Sequence, residues 1–273
     1  MKMSKKTKAV IYILLTIVAI YFLAPFVYML FTTFKTEAEA IAYPPTLFPE
    51  KWNWQNFVDA WNSQPFGTYF MNSVIVTVLT TLGQILSCSL VAYGFARFNF
   101  KGKNILFMIL LATMMIPWDV TMIPQYMEFN LLGWINTLKP LIVPAFFGSA
   151  YYIFLMRQFL MGIPKDYEEA ARLDGANAFQ IYWKIFMPIL KPSLILVGVL
   201  NMLTVWNDYL GPLIFLQDRS KYTLALGLAS FKGVHDTQII PMLCITVIMI
   251  IPPIIIFIIA QKYIVEGTSG SIK

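Results

Sequence analysis

Two groups of residues in this sequence could do chemistry. The first is Glu169, Ala170 and Ala171, with Arg172, Asp174 and Gly175 close behind and Ile185 and Pro188 beyond. A carboxylate beside two of the smallest side chains suits recognition: the alanines let a second backbone come close, and the carboxylate accepts charge-assisted hydrogen bonds from an arginine or lysine. The second group is Asp119, Asn201, Trp206, Asn207 and Asp208, set in otherwise apolar runs where an acid or amide must face a partner or a wet cavity. Bond-making chemistry has no comparable support. No paired carboxylates, metal-ligand spacing or nucleophile with its base is visible. There is no Gly-x-x-x-x-Gly-Lys-Ser/Thr phosphate loop, and His235, the one histidine, has no second ligand nearby in sequence.

The elements that must position these residues are apolar. The chain has 273 residues, 58% hydrophobic and 12% charged, well below the roughly 25% charged fraction of soluble domains. About 20 apolar residues cross a hydrocarbon core of about 30 Å, and six runs qualify: 9–34, 70–95, 105–125, 140–160, 192–215 and 239–263. The fold class expected is therefore an all-α integral membrane protein with six transmembrane helices. The first run is too long for the core of a signal peptide and reads as a retained anchor. With the N-terminus inside, fourteen lysines and arginines fall on the cytoplasmic side against six outside. That bias places both termini, and the loop carrying Glu169 between helices 4 and 5, in the cytoplasm. The net charge of +6 is thus a topology signal and no argument for nucleic acid.

Segment 164–192 reads as two short capped helices. Asp166 is placed to cap a helix over 167–174, with Glu169 as the reciprocal partner, and Gly175 supplies the left-handed residue that ends it. Asn177 with Gln180 offers a second cap, and Phe179, Trp183 and Phe186 are expected on one face of the helix that follows. A knob this small cannot bury a core of its own. It needs the ends of spans four and five, and a partner beyond them.

Elsewhere, Ser73, Thr77, Thr80, Gln84 and Ser87 form one stripe of span two, expected to serve as interhelical glue or as a pore face. Pro117, Pro144 and the pair Pro252 and Pro253 are expected to bend spans three, four and six. Phe48, Trp52, Trp54 and Phe57 suit an interfacial lid outside, or a docking surface for an external partner. Cys88 and Cys244 lie inside spans as packing residues. The tail 267–273 is short and polar, and no internal repeat divides the chain.

Glu169-Ala170-Ala171, three residues, Gly175, nine residues, Ile185, one residue, then Met187-Pro188 resembles the EAA loop of ATP-binding-cassette importer permeases. Met187 stands where that family usually has leucine, a change that keeps volume and apolarity. Asp166-Tyr167-Glu168, Lys191-Pro192 and Trp206-Asn207-Asp208-Tyr209 are similar to the carbohydrate-uptake branch, the permease subunit type of the maltose system. The resemblance implies a membrane permease of a type I importer for a sugar or oligosaccharide, in the bacterial cytoplasmic membrane. It implies a segment 1–68 of helix plus external stretch, a permease domain over 69–264 with its EAA loop at 164–190, and a tail at 265–273.

It further implies a second homologous permease as heterodimer partner, two nucleotide-binding ATPase subunits and an external solute-binding protein, reached through the loop 217–238 with Asp218, Arg219, Lys221, Lys232, His235 and Asp236. Glu169, Ala170, Ala171, Arg172, Asp174 and Gly175 would form the coupling helix and its turn, with Ile185 and Pro188 fixing the knob. Asn201, Trp206, Asn207, Asp208 and Asp119 would be candidates for the substrate path. The chain would bind no cofactor; the partner ATPase would use ATP and Mg. The competing class is an ion-coupled secondary carrier, which needs an intramembrane ionisable relay beyond Asp119 and Asp208.

Overall fold

The structure, a computed structural model, describes residues 4–233 and 237–269, with side chains as far as 263. Among the described residues the regular elements are helical, and the only β pairing is a single bridge between Lys232 and Thr237. The main helices are α1 (Lys5–Thr32), α2 (Gln55–Asn62), α3 (Phe66–Arg97), α4 (Lys103–Ala112), α5 (Trp118–Leu131), α6 (Ala150–Met161), α7 (Asp166–Leu173), α8 (Ala178–Ile181), α9 (Lys191–Trp206), α10 (Leu210–Phe215) and α11 (Ile239–Ser269).

Among the described residues, four stretches are long and apolar enough to cross a membrane: α1, α3, Lys139–Met161 and Ile239–Tyr263. Counting two bent helix pairs as one span each raises that to six. The first pair is α4 with α5, turned by 97° at Pro117. Ile116, just before the proline, is extended, because proline's ring disfavours the helical region for its predecessor and offers no N–H of its own. At Pro144 the chain tightens into a 3₁₀ turn, Val143–Phe147, before Gly148 redirects it at φ +87°. Pro252 and Pro253 do not end their helix. They lie inside the unbroken α11, where the hydrogen-bond ladder on either side carries the helix through.

Span five also differs. The apolar run 192–215 is not one helix: α9 stops at Trp206 and α10 restarts at Leu210. The polar side chains in the gap take over backbone groups that a continuous helix would use. Asn207 donates to the Leu203 carbonyl at 2.8 Å, and the Asp208 carboxylate accepts from the Gly211 N–H at 3.1 Å.

The chain forms two compact units, Met1–Phe66 with Leu228–Ile251 and Gly67–Gly227 with Pro252–Lys273. In the first, the aromatic lid closes on the end of α1. Trp52, Trp54 and Phe57 surround Phe34 at ring separations of 5.1, 4.6 and 5.5 Å. Asn56 donates to the carbonyls of Thr33 and Lys35 at 2.8 and 2.9 Å. Lys35 itself is buried, with its ammonium on the Thr46 carbonyl and 5.0 Å from the Tyr28 ring centre. Along α1 only Thr32 is buried.

In the second unit, the polar stripe of α3 is glue. Ser73, Thr77 and Thr80 are buried, Gln84 and Ser87 half-buried. Ser73 accepts from the Leu224 N–H at 2.8 Å, and Ser87 donates to the carbonyls of Gly83 at 2.7 Å and Ala145 at 3.3 Å. Small polar residues at a helix interface allow this close approach, although the Thr77 hydroxyl is buried without a hydrogen-bond partner and Thr80 bonds back to carbonyls of its own helix. Cys88, free and buried, accepts from the Ser149 N–H at 3.2 Å; Cys244 is likewise free and buried.

Candidate functional site

The knob is built by local rules with one departure. α7 covers Asp166–Leu173, and its N-cap is Lys165, whose carbonyl accepts from Glu168 and Glu169 at 2.8 and 3.0 Å. Asp166, expected to be the cap, is instead the first helical residue. There it joins Glu168 and Glu169 in a first turn whose negative charge complements the helix dipole. The C-terminus closes as a Schellman motif: Ala176 N–H to the Ala171 carbonyl at 2.9 Å, Gly175 N–H to the Arg172 carbonyl at 3.1 Å. Gly175 holds φ +81°, the conformation that motif demands.

Around α7 the faces are sharply divided. Glu169, Ala170, Arg172 and Asp174 are exposed, together with Leu173 at 90%. Glu168 is buried and pairs with Arg172 at 2.6 Å. Ala171 is buried too, in the cluster that seats the knob. Of the two alanines expected to admit a partner, only Ala170 is on the free face.

The second half starts with the expected capping box: Gln180 N–H donates to Asn177 Oδ1, and Asn177 N–H to Gln180 Oε1, both at 2.9 Å. α8 then widens into a π turn, Tyr182–Phe186. The extra residue in that turn rotates everything after it. Phe179 and Trp183 remain outside, stacked at 6.5 Å and 10°, while Phe186 swings inward and is fully buried. The expected single face of Phe179, Trp183 and Phe186 is thus split.

Ile185 is half-buried against the core, and Pro188 is exposed. The anchoring expected of Pro188 falls to Ile181, Phe186 and Leu190, all fully buried. They sit against Ala92 and Tyr93 of α3 and Met156 and Leu160 of α6, so the ends of two spans form the seat.

Comparison with known proteins decides what this arrangement belongs to. Residues 85–270 match the family model described as Binding-protein-dependent transport system inner membrane component. The chain belongs to this family. The permease is 36% identical over 270 residues to the Probable ABC transporter permease protein YurM of Bacillus subtilis, covering 98% of this chain and 89% of that one. It is 31% identical to the Arabinooligosaccharides transport system permease protein AraQ of Halalkalibacterium halodurans, over 99% of this chain and 100% of the relative. A crystal structure of a bacterial ABC transporter involved in import of the acidic polysaccharide alginate contains a chain that superposes with TM-score 0.83 at 25% identity, covering 97% of this chain and 99% of its own.

The permease does not bring its expected path residues together. Asn201 is buried and faces α3, where its amide donates to Thr81 at 3.0 Å and lies 3.5 Å from the Thr80 hydroxyl. In that position its amide meets the hydroxyls of two threonines of α3. Trp206 is buried edge-to-face on Phe70 at 5.7 Å. It lines a groove of about 730 Å³ between α3, α9 and the second half of α11. That groove is apolar apart from the hydroxyls of Thr77, Thr81 and Tyr263, the Trp206 indole and the Lys191 ammonium. Asn207 is exposed, Asp208 half-buried in the α9–α10 gap, and Asp119 exposed in the first turn of α5.

In the loop 217–238, Asp218 caps the turn Arg219–Lys221, and the Ser220 amide and hydroxyl hold its carboxyl below the usual carboxylate range. His235 and Asp236 lie outside the described residues.

Sequence reasoning missed Ser89, Tyr93, Arg97 and Glu168. The first three recur every four residues at the end of span two, a legible pattern, but Arg97 counted only as a topological charge.

Proposed function

We propose that the permease carries a sugar or oligosaccharide across six spans, with both termini cytoplasmic and the α7 knob seated in a groove of a separate ATPase. The observation that carries this reading is the exposed face of α7, Glu169 and Ala170 beside Leu173, on a helix closed at its end by Gly175 and backed by the buried Ala171. Such a face is rigid and small, and Glu169 is free to meet a cation on a partner. The lysine and arginine bias supports the cytoplasmic placement. The names of AraQ and of the Melibiose/raffinose/stachyose import permease protein MelC of Bacillus subtilis, 31% identical over 274 residues, support a carbohydrate as cargo.

In this reading 69–264 is the permease domain, paired with a second homologous permease, two ATPase subunits and an external solute-binding protein. The partner ATPase holds ATP and Mg, and this chain contributes no hydrolytic site. ATP binding draws the two ATPases together and with them the knobs, and the bundles rock from inward-facing to outward-facing. The differential affinity that any conformational change requires comes from ATP bound across the ATPase pair. Purification of the tagged permease tests the reading. A nucleotide-binding subunit is expected to copurify from wild type and to be lost on Glu169→Lys, with membrane insertion intact. Uptake stopped by an uncoupler while ATP is maintained would point to an ion-coupled carrier instead.

A further inference from the structure

The seat of the knob includes a stripe on a span far from it in sequence. Ser89, Tyr93 and Arg97 share one face of α3. Ser89 and Tyr182 share a hydrogen bond of 2.8 Å. The Tyr93 hydroxyl donates to the Ala178 carbonyl at 3.3 Å, and its ring stands 5.3 Å from those of Tyr182 and Phe186. The Arg97 guanidinium lies 4.6 Å from the Phe186 ring centre, and its Nη2 donates to the carbonyls of Leu160 at 2.6 Å and Ile163 at 2.9 Å. One cation therefore joins the end of α3, the end of α6 and the second half of the knob. Its Nε is buried without a partner, a desolvation cost that a residue serving only to fill space would not impose.

We propose that Arg97 is the positioning residue that makes the knob and the spans move as one body; this rests on the coupling role proposed above. A push arriving at α7 has two covalent routes into the bundle, and neither is a continuous helix. Behind α7, residues 162–165 separate it from α6; ahead, the chain bends by 74° between Ala178–Ile189 and α9. Arg97 closes the first joint by tying the Leu160 and Ile163 carbonyls to Phe186. It also connects the knob to α3, whose Ser73 and Thr81 reach Leu224 and Asn201. Without the fork, the knob keeps its Ser89 and Tyr93 bonds to α3 but loses its tie to the end of α6, so motion of the knob passes less completely to the spans.

The test uses the assembled complex in proteoliposomes, with the solute-binding protein isolated from the same cells with its solute bound. ATP hydrolysis is measured with and without that protein for wild type, Arg97→Met, Arg97→Lys and Phe186→Leu. Arg97→Met is expected to keep its ATPase subunits and basal hydrolysis while the stimulation ratio falls between about twofold and thirtyfold, the range that one contact in a coupling network controls. Arg97→Lys keeps the charge but loses the two-carbonyl fork, so it restores part of the ratio. Phe186→Leu strips the ring from the other side, lowers the ratio with Arg97 in place, and decides the matter if Arg97→Met does not accumulate. An unchanged ratio, or a loss of basal hydrolysis and assembly in step with stimulation across the variants, overturns the proposal. A wild-type complex with no ATPase or no stimulation overturns the coupling reading itself.

Discussion

Glu168 and Glu169 are consecutive in sequence and opposite in environment: Glu168 is 8% exposed and bound to Arg172 at 2.6 Å, while Glu169 faces outward. The same chemical group is structural at one position and free for recognition at the next. Arg172 is itself largely exposed, so solvent screens the pair. Glu168→Gln is expected to lower stability by less than about 1 kcal/mol, read as a small drop in thermal midpoint in detergent, with ATPase copurification retained. Glu169→Lys is expected to show the reverse weighting: a small drop in midpoint of the same size, from the lost helix-dipole complement, but lost copurification.

Gly175 sits at φ +81° with no heavy atom within 4 Å of where a Cβ would stand. Gly175→Ala therefore meets only backbone strain, about 1–2 kcal/mol, and Gly175→Asn less. Hydrogen exchange of the α7 amides should rise in Gly175→Asn and rise further in Gly175→Ala, with the spans unaffected.

The Asn201 side-chain amide donates a hydrogen bond to the Thr81 hydroxyl, joining α9 to α3. A double-mutant cycle of Asn201→Ala with Thr81→Ala should return a coupling near 0.6 kcal/mol, the usual value for an interhelical bond inside a membrane. The KM for uptake is expected to stay as in wild type. A large KM increase from Asn201→Ala alone would return this residue to the substrate path.

At Gly227 a Cβ would fall 2.2 Å from Cδ2 of Tyr69, a ring that is 1% exposed and has no room to yield. Gly227→Ala should cost about 1–3 kcal/mol by overpacking. Adding Tyr69→Leu to the same chain is expected to recover part of the lost thermal midpoint.

Much of this was legible one segment at a time. Hydropathy alone finds α1, α3 and α11, because each is a single run of apolar residues. The Asn177 and Gln180 box and the Gly175 turn follow from local rules, since cap and partner are within a few residues of one another. Helix ends were less secure. Asp166 looked like a cap and became the first helical residue, and Asn207 with Asp208 broke a run that hydropathy reads straight through.

What the sequence by itself determined is an all-helical membrane chain with one charged, capped interruption, because charge, apolar run length and caps are properties of neighbours along the backbone. Which side of that interruption is exposed was decided only in three dimensions. The π turn at Tyr182–Phe186 sends Phe186 inward, and there it meets Arg97, a residue nearly ninety positions earlier in the chain. No periodicity encodes that meeting: it depends on α3 and α6 first packing side by side, so that two carbonyls and one ring converge on the same guanidinium.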